Sequence, residues 1–501
     1  MTAGTRRIKS VEDSIRDTDE PEHKLRRHLS GLDLTVFGVG VIIGTGIFVL
    51  TGVVAKTTAG PATAISFVIA GVVCGLAALC YAEFASTVPV AGSAYTFSYA
   101  TLGEFVAWII GWDLVLELAL GAATVSVGWS GYLNQLLGDI GIPLPTSIAG
   151  ETATVNIPAI FIALVMTGIL ILGIKLSSRI TTVIVAIKIV IVLMVIVVGI
   201  FYVKAANYTP FIPPAKPSAT GSGLTAPLIQ TIFGFAPSTF GVGGILAGAA
   251  IVFFAFIGFD IVATAAEETK DPKKDLPRGI IGSLVICTVL YVAVSLVVVG
   301  MQKYTELSET APLADAFRSV GLPFFSGLIS VGALAGLTSV VMILMLGQSR
   351  VLFAMSRDRL LPRGLATVHP RFGTPYKITL ITGVIVAALA GFIPLSTLAE
   401  LVNIGTLFAF VLVSIGVIVL RRTRPDLKRS FRVPAVPVLP ILSVLACFYL
   451  MLNLPGETWI RFGVWMVVGV LFYFTYGRRH SRFATPGDRE DAAAANAARR
   501  G

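Results

Sequence analysis

Long apolar runs recur along the chain, separated by shorter polar stretches in which Lys, Arg, Pro and Gly concentrate. A helix needs about twenty such residues to cross a hydrocarbon core. Twelve segments are predicted on that criterion: 34–55, 61–85, 103–131, 156–175, 180–203, 246–268, 279–301, 322–349, 376–394, 397–420, 436–454 and 458–477. Two of them are interrupted. Segment 1 carries Gly44-Thr45-Gly46 near its middle, and segment 6 carries Gly258 at a similar depth, followed by Asp260. With no water in the hydrocarbon core, freed backbone groups are tolerated only where protein buries them or a cavity with a ligand receives them. Two broken helices five spans apart predict an inverted repeat of five plus five segments, with a ligand site between the breaks. Segments 11 and 12 are then accessory. The expected fold is an all-α polytopic membrane protein with twelve transmembrane helices.

Composition agrees and removes the alternatives. The 501 residues are 55% hydrophobic and 13% charged, with a mean hydropathy of +0.86, which excludes a soluble globular domain. Basic residues favour the cytoplasmic side of a membrane. With both termini cytoplasmic, only Lys56, Lys204, Lys216, Lys303, Arg318 and Arg461 fall outside, and Lys188 falls within a span. The net charge of +10 therefore reads as an insertion signal with attraction to anionic lipid, and nucleic acid is not an expected partner. No cleavable leader is expected in the polar first thirty residues. Cys74, Cys80, Cys287 and Cys447 sit in apolar segments as packing residues, at no metal-ligand spacing. His23, His28, His369 and His480 lie outside the spans, so no imidazole serves a mid-membrane site. Gly44-Thr45-Gly46 follows no strand and precedes no Lys-Ser/Thr pair, which disfavours a nucleotide loop. No enzyme activity, metal or organic cofactor is expected.

The breaks select a zwitterion. Free amides and positive half-helix ends suit a carboxylate, while unwound carbonyls suit an ammonium group. In segment 1 the amides from Gly44 to Ile47 and the Thr45 hydroxyl would take an α-carboxylate, with Ile42 and Ile43 beside them. In segment 6 the carbonyls near Phe254, Ala255 and Ile257 would take the α-amino group. Small residues at helix contacts also occur purely for packing, but the paired pattern favours binding. An aromatic from Phe254, Phe256 or Phe259 would close over the ligand.

Ionisable groups inside spans mark function or a partner. Lys188 lies about eight residues into segment 5, roughly 12 Å from its end, at a depth similar to that of Gly44 in segment 1. Its ammonium would approach the freed carbonyls of the first break. An amine that loads and loses one proton there would couple conformation to a proton gradient; a permanently charged one would only pin segment 1. Asp113 and Glu117, four apart on one face of segment 3, would meet a cationic substrate side chain, share a proton path, or bond within the bundle. Asp260 would take backbone donors at the second break.

Four motifs carry a resemblance: Gly38-Val-Gly-Val-Ile-Ile-Gly-Thr-Gly-Ile-Phe48, the stretch from Val88 to Glu104, Ala266-Glu-Glu-Thr-Lys-Asp-Pro-Lys-Lys-Asp-Leu-Pro277, and Gly347-Gln-Ser-Arg-Val-Leu-Phe-Ala-Met-Ser-Arg-Asp358. In this order the chain resembles the amino acid–polyamine–organocation permeases, in particular the cationic amino acid transporter family. The resemblance implies alternating access and amino acid uptake coupled to protons. It implies substrate contacts from Ile42, Gly44, Thr45 and Gly46, and from Phe254, Ala255 and Ile257, with Phe259 as the gating aromatic. Lys188 matches a segment 5 lysine in a sodium-like site, and Leu337 and Thr338 of segment 8 are further pocket candidates. Arg359 departs from the pattern, where the motif has glycine. The substrate expected is a cationic or small neutral L-amino acid, with Glu117 as the contact for a cationic one. Exchange, a channel, or an amino acid sensor are the other readings on this scaffold. The expected organisation is a cytoplasmic tail at 1–32, a transporter domain at 33–478 and a disordered cytoplasmic tail at 479–501. The protein is expected to work as a single subunit in the plasma membrane, with lipid and the amino acid as its only partners.

Overall fold

The computed structural model describes residues 29–87, 93–145, 147–149, 153–173, 178–217, 223–234, 238–427 and 429–481. Most of both expected tails, and residues 88–92 of the second motif, lie outside the described residues.

Segment 1 begins as helix α1, Gly31–Ile42. Ser30 and Asp33 form a reciprocal capping box: the Ser30 hydroxyl accepts the Asp33 amide at 3.3 Å, and the Asp33 carboxylate accepts the Ser30 amide at 2.9 Å. After the break, helical turns resume at Gly46–Leu50 and run on to a tight turn at Gly60, whose φ of +65° suits glycine. Helices α2 (Thr63–Thr87), α3 (Ser93–Thr101), α4 (Glu104–Asp139), α5 (Ile157–Ile171) and α6 (Ser178–Gly199) follow. Segment 6 is α7, Gly241–Val252, tightening to 3-10 turns at Phe253–Phe256 and, past Gly258, at Asp260–Glu268. Then come α8 (Pro272–Met301), the short α9 (Pro312–Ser319), α10 (Pro323–Arg357), α11 (Tyr376–Phe392), α12 (Leu395–Thr423), α13 (Val438–Leu452) and α14 (Gly456–Phe472). Proline in the first turn of α8, α9 and α10 replaces an amide that has no helical partner there. A two-stranded antiparallel ladder joins β1, Lys216–Pro217, to β2, Ser238–Thr239.

Among the described residues, eight helical stretches are long and apolar enough to cross a membrane, and four shorter apolar helices accompany them. The side chains are distributed as a lipid solvent requires. Val183, Ile187 and Val190 of α6, Val285 and Val289 of α8, and Val464, Val467 and Leu471 of α14 face outward, while Asp113, Glu117, Lys188 and Asn403 are buried inside. Helix α4 runs through the centre against α10 and α12, and α8 packs against α1 and α2. Helix α14 is fastened to α4 by indole rings: Trp112 stacks on Trp465 at 4.5 Å, and Trp108 Nε1 donates to the Gly469 carbonyl at 2.8 Å. At one end of the bundle the buried Glu83 of α2 accepts two hydrogen bonds from Arg421 of α12, at 2.9 and 2.6 Å, and a third from the Val433 amide at 2.7 Å. At the other, Lys56 pairs with Glu309 at 2.9 Å and Arg318 with Asp139.

Candidate functional site

The break in segment 1 leaves helix-end groups that must each find a partner or a ligand. On the carbonyl side most are taken. The Val39 carbonyl accepts the Ile43 amide at 2.9 Å. The Gly40 carbonyl accepts Lys188 Nζ at 2.6 Å. The Ile42 carbonyl accepts the Tyr291 hydroxyl at 2.7 Å. On the amide side nothing is taken. Among the described residues, the N–H groups of Gly44, Thr45, Gly46 and Ile47 make no hydrogen bond, and the fully buried Thr45 Oγ1 is also without a partner. Segment 1 therefore presents four amides and a hydroxyl in one short stretch.

The second break is arranged the other way. Gly258 turns the chain at φ +117°, a left-handed conformation that favours glycine. The Asp260 carboxylate folds back onto the Gly258 amide at 3.3 Å, occupying a donor that the break exposes. Asn403 of α12 donates to the Ala250 and Ile251 carbonyls at 2.8 and 3.1 Å, closing the end of α7. Tyr291 reaches this break too, with its hydroxyl 2.8 Å from the Ala255 carbonyl. The carbonyls of Phe256 and Ile257 accept no hydrogen bond among the described residues.

The two breaks touch. A Cβ at Gly46 would overlap Ala255 Cβ and Cα, so only glycine permits this approach. Between the breaks lies a narrow cleft, open in part to solvent. Val41, Ile42, Gly44, Thr45 and Gly46 line it from segment 1, Phe254 and Ile257 from segment 6, Gly121 and Val125 from α4, and Val340 and Leu344 from α10.

Other residues singled out by sequence lie around this cleft rather than in its wall. Ile43 is fully buried at the break. Phe259 packs edge-on to Tyr81 at 5.8 Å and tilted against Phe410 at 5.0 Å. Leu337 is buried in α10, and the Thr338 hydroxyl accepts Trp129 Nε1 at 3.0 Å. Glu117 lies against Thr406, with the carboxyls of Asp260 and Asp113 close by. Among the described residues neither Asp113 oxygen finds a hydrogen bond, and Gly405 brings the α12 backbone close to them: a Cβ there would lie 2.9 Å from Asp113 Oδ1. Lys188 is fully buried. Gly336 of α10 makes room for its stem, since a Cβ there would lie 2.9 Å from Lys188 Cε.

Tyr291 and Asn403 escaped the sequence reading. Each is an isolated polar side chain in an apolar run, and that isolation was the available signal, because a buried phenol or amide must find a hydrogen-bond partner.

Discontinuous apolar helices around a buried, unpaired set of amides define a membrane permease rather than an enzyme. The profile of the amino acid permease family matches residues 29–473, and the chain belongs to that family, within the amino acid–polyamine–organocation superfamily. It is 49% identical over 462 residues to a methylthioribose transporter of Bacillus subtilis, covering 91% of this chain and 95% of that one. It is 48% identical over 490 residues to the branched-chain amino acid permease BcaP of the same organism, covering 96% and 99%. It is 31% identical over 578 aligned positions to the vacuolar cationic amino acid transporter 4 of Arabidopsis thaliana, covering 92% and 93%.

Proposed function

We propose that this permease is a secondary active transporter that imports L-amino acids by alternating access, with protons as the coupling ion. The observation that carries the reading is the first break. The unpaired amides of Gly44, Thr45 and Gly46 and the Thr45 hydroxyl, on residues that line the cleft, suit a carboxylate. The open carbonyl of Ile257, a residue of the opposite wall, suits an ammonium group. A sugar such as methylthioribose has no carboxylate to satisfy those amides. The names of the BcaP and cationic transporter relatives support an amino acid substrate.

In this reading Ile42, Gly44, Thr45, Gly46, Phe254 and Ile257 contact the substrate. Ile43, Ala255, Leu337, Thr338 and Glu117 support that wall, and Phe259, just past the Gly258 break, moves with the cytoplasmic half of segment 6 as a gate. The matched breaks five segments apart favour a twelve-helix architecture with a five-plus-five inverted repeat. The distribution of Lys and Arg favours both termini on the cytoplasmic side, and the membrane of this reading is the plasma membrane. Lys188 carries the coupling proton: its amine sits on the Gly40 carbonyl, so gain or loss of that proton changes what holds the end of α1. The short bond itself favours a second reading, a fixed lysine that pins α1 in an amino acid exchanger.

Uptake of radiolabelled amino acids into proteoliposomes, with and without an inward proton gradient, separates the two. Gradient-driven accumulation by the native protein, lost in Lys188→Ala while substrate binding persists, is the expected result. Transport that ignores the gradient and requires amino acid preloaded inside would replace it with the exchanger.

A further inference from the structure

The Phe259 ring sits in a cage made by two helices. Tyr81 of α2 meets it edge-on at 5.8 Å, and Phe410 of α12 lies tilted against it at 5.0 Å. Tyr81 and Phe410 also meet each other edge-on, at 5.4 Å. The three rings therefore touch pairwise, and none is more than 1% exposed. A close-packed interior holds no spare volume for a moving ring, so how far Phe259 can swing depends on how tightly α2 and α12 are held together.

The contact between these helices continues from the cage to the end of the bundle. Gly416 lets α12 approach the Phe84 ring, since a Cβ there would lie 2.9 Å from Phe84 Cζ. The seam then ends at Glu83 and Arg421. Besides donating twice to Glu83, Arg421 donates to the Val433 carbonyl at 2.9 Å, while the Val433 amide donates to the same carboxylate. Carboxylate, guanidinium and peptide thus close a ring of hydrogen bonds. Arg429 Nε lies 3.5 Å from Glu83, and its terminal nitrogens donate to the Leu420, Arg424 and Leu427 carbonyls, closing the end of α12. A bidentate arginine–carboxylate pair sets both the distance and the angle between its helices. With the Glu83 side chain 1% exposed, removing one partner strands the other.

We propose that Glu83 and Arg421 form a latch that keeps α2 and α12 together around Phe259, so that the inner gate is held shut by an ion pair it does not touch. Both are positioning residues. Neither lines the cleft, and they act on the gate through Tyr81 and Phe410. The latch rests on the reading of Phe259 as the gate, and it stands at the end of the bundle which that reading places in the cytoplasm. Thr406 is fully buried one turn before Phe410 on α12, and so lies behind the cage as seen from that end.

The test is the rate at which a membrane-impermeant thiol reagent labels the full-length protein carrying Thr406→Cys, applied separately to inside-out and right-side-out membrane vesicles. The four native cysteines are buried, and labelling of the native protein sets the background. Glu83→Gln and Arg421→Gln are each added to Thr406→Cys, singly and together. Each is expected to raise labelling from the cytoplasmic face about tenfold, the scale of one charged hydrogen bond, and to leave labelling from the outer face unchanged. The double variant is expected to label no faster than the faster single one, because both remove the same latch. Equal rises from both faces would overturn the latch, as would a lowered thermal midpoint with unchanged labelling, and either would leave the pair a structural contact. If Glu83→Gln fails to fold, Arg421→Gln carries the same comparison, its guanidinium being already in part exposed. Phe259→Ala in the same background separates latch from gate. Faster cytoplasmic labelling there but not in Glu83→Gln would overturn the latch alone, and unchanged labelling in Phe259→Ala would remove the gate reading on which it stands.

Discussion

The two breaks interrupt helices at similar depth, yet they resolve their loose backbone groups in opposite ways. In segment 1 the carbonyls of Val39, Gly40 and Ile42 are engaged and the amides from Gly44 to Ile47 are open. In segment 6 Asp260 occupies the Gly258 amide, Asn403 closes the end of α7, and the Phe256 and Ile257 carbonyls stay open. One side of the cleft thus offers donors and the other acceptors. In the proposed reading a symmetric pair of breaks would accept a zwitterion in either orientation, whereas this pair would favour one.

The most severe way to break the arrangement is to separate its halves. Gly46→Val places branched carbons where the Ala255 backbone lies, and uptake per folded molecule is expected to fall by more than about 100-fold, because displacements of about 1 Å suffice for such losses. Near-native uptake would mean that the breaks need not touch.

Tyr291→Phe is expected to come next. It removes the hydroxyl shared by the Ile42 and Ala255 carbonyls and leaves buried acceptors unsatisfied, a cost of about 1–3 kcal/mol. A lowered thermal midpoint in detergent with reduced uptake is expected, and an unchanged midpoint would show that the hydroxyl couples nothing.

Thr45→Val sharpens the comparison most gently. The hydroxyl has no partner to lose, so the thermal midpoint is expected to hold while KM for the amino acid rises about tenfold, the scale of one lost hydrogen bond. A falling midpoint with unchanged KM would assign Thr45 to packing instead.

Much of this geometry was readable from the chain. The helical segments follow from apolar run length, and the two interruptions from Gly44 and Gly258, because glycine in an otherwise continuous span marks a place where the backbone is asked to leave the helix. Lys188 stood out because a cation in a span needs an acceptor. The sequence did not reveal which acceptor it finds, nor that one tyrosine serves both breaks, since these contacts join residues far apart in the chain. It also left open whether Glu117 faces the cleft: helical periodicity puts Glu117 and Gly121 on one face of α4, yet Gly121 lines the cleft and Glu117 does not.

Lys188 also bears on how the protein is made. Thr182–Tyr202, just around it, has the highest mean hydropathy of the eight candidate spans, 3.3. A lysine in the middle of a lone helix raises the free energy of entry into the bilayer by about 3 kcal/mol, and the surrounding Ile and Val residues offset that before any neighbour is present. Because α1 precedes α6 in the chain, the Gly40 carbonyl is synthesised before the amine that needs it. Biosynthetic order therefore supplies the acceptor first, and a chain rearranged so that α6 emerged before α1 would hold an unpartnered ammonium group in lipid until its acceptor arrived.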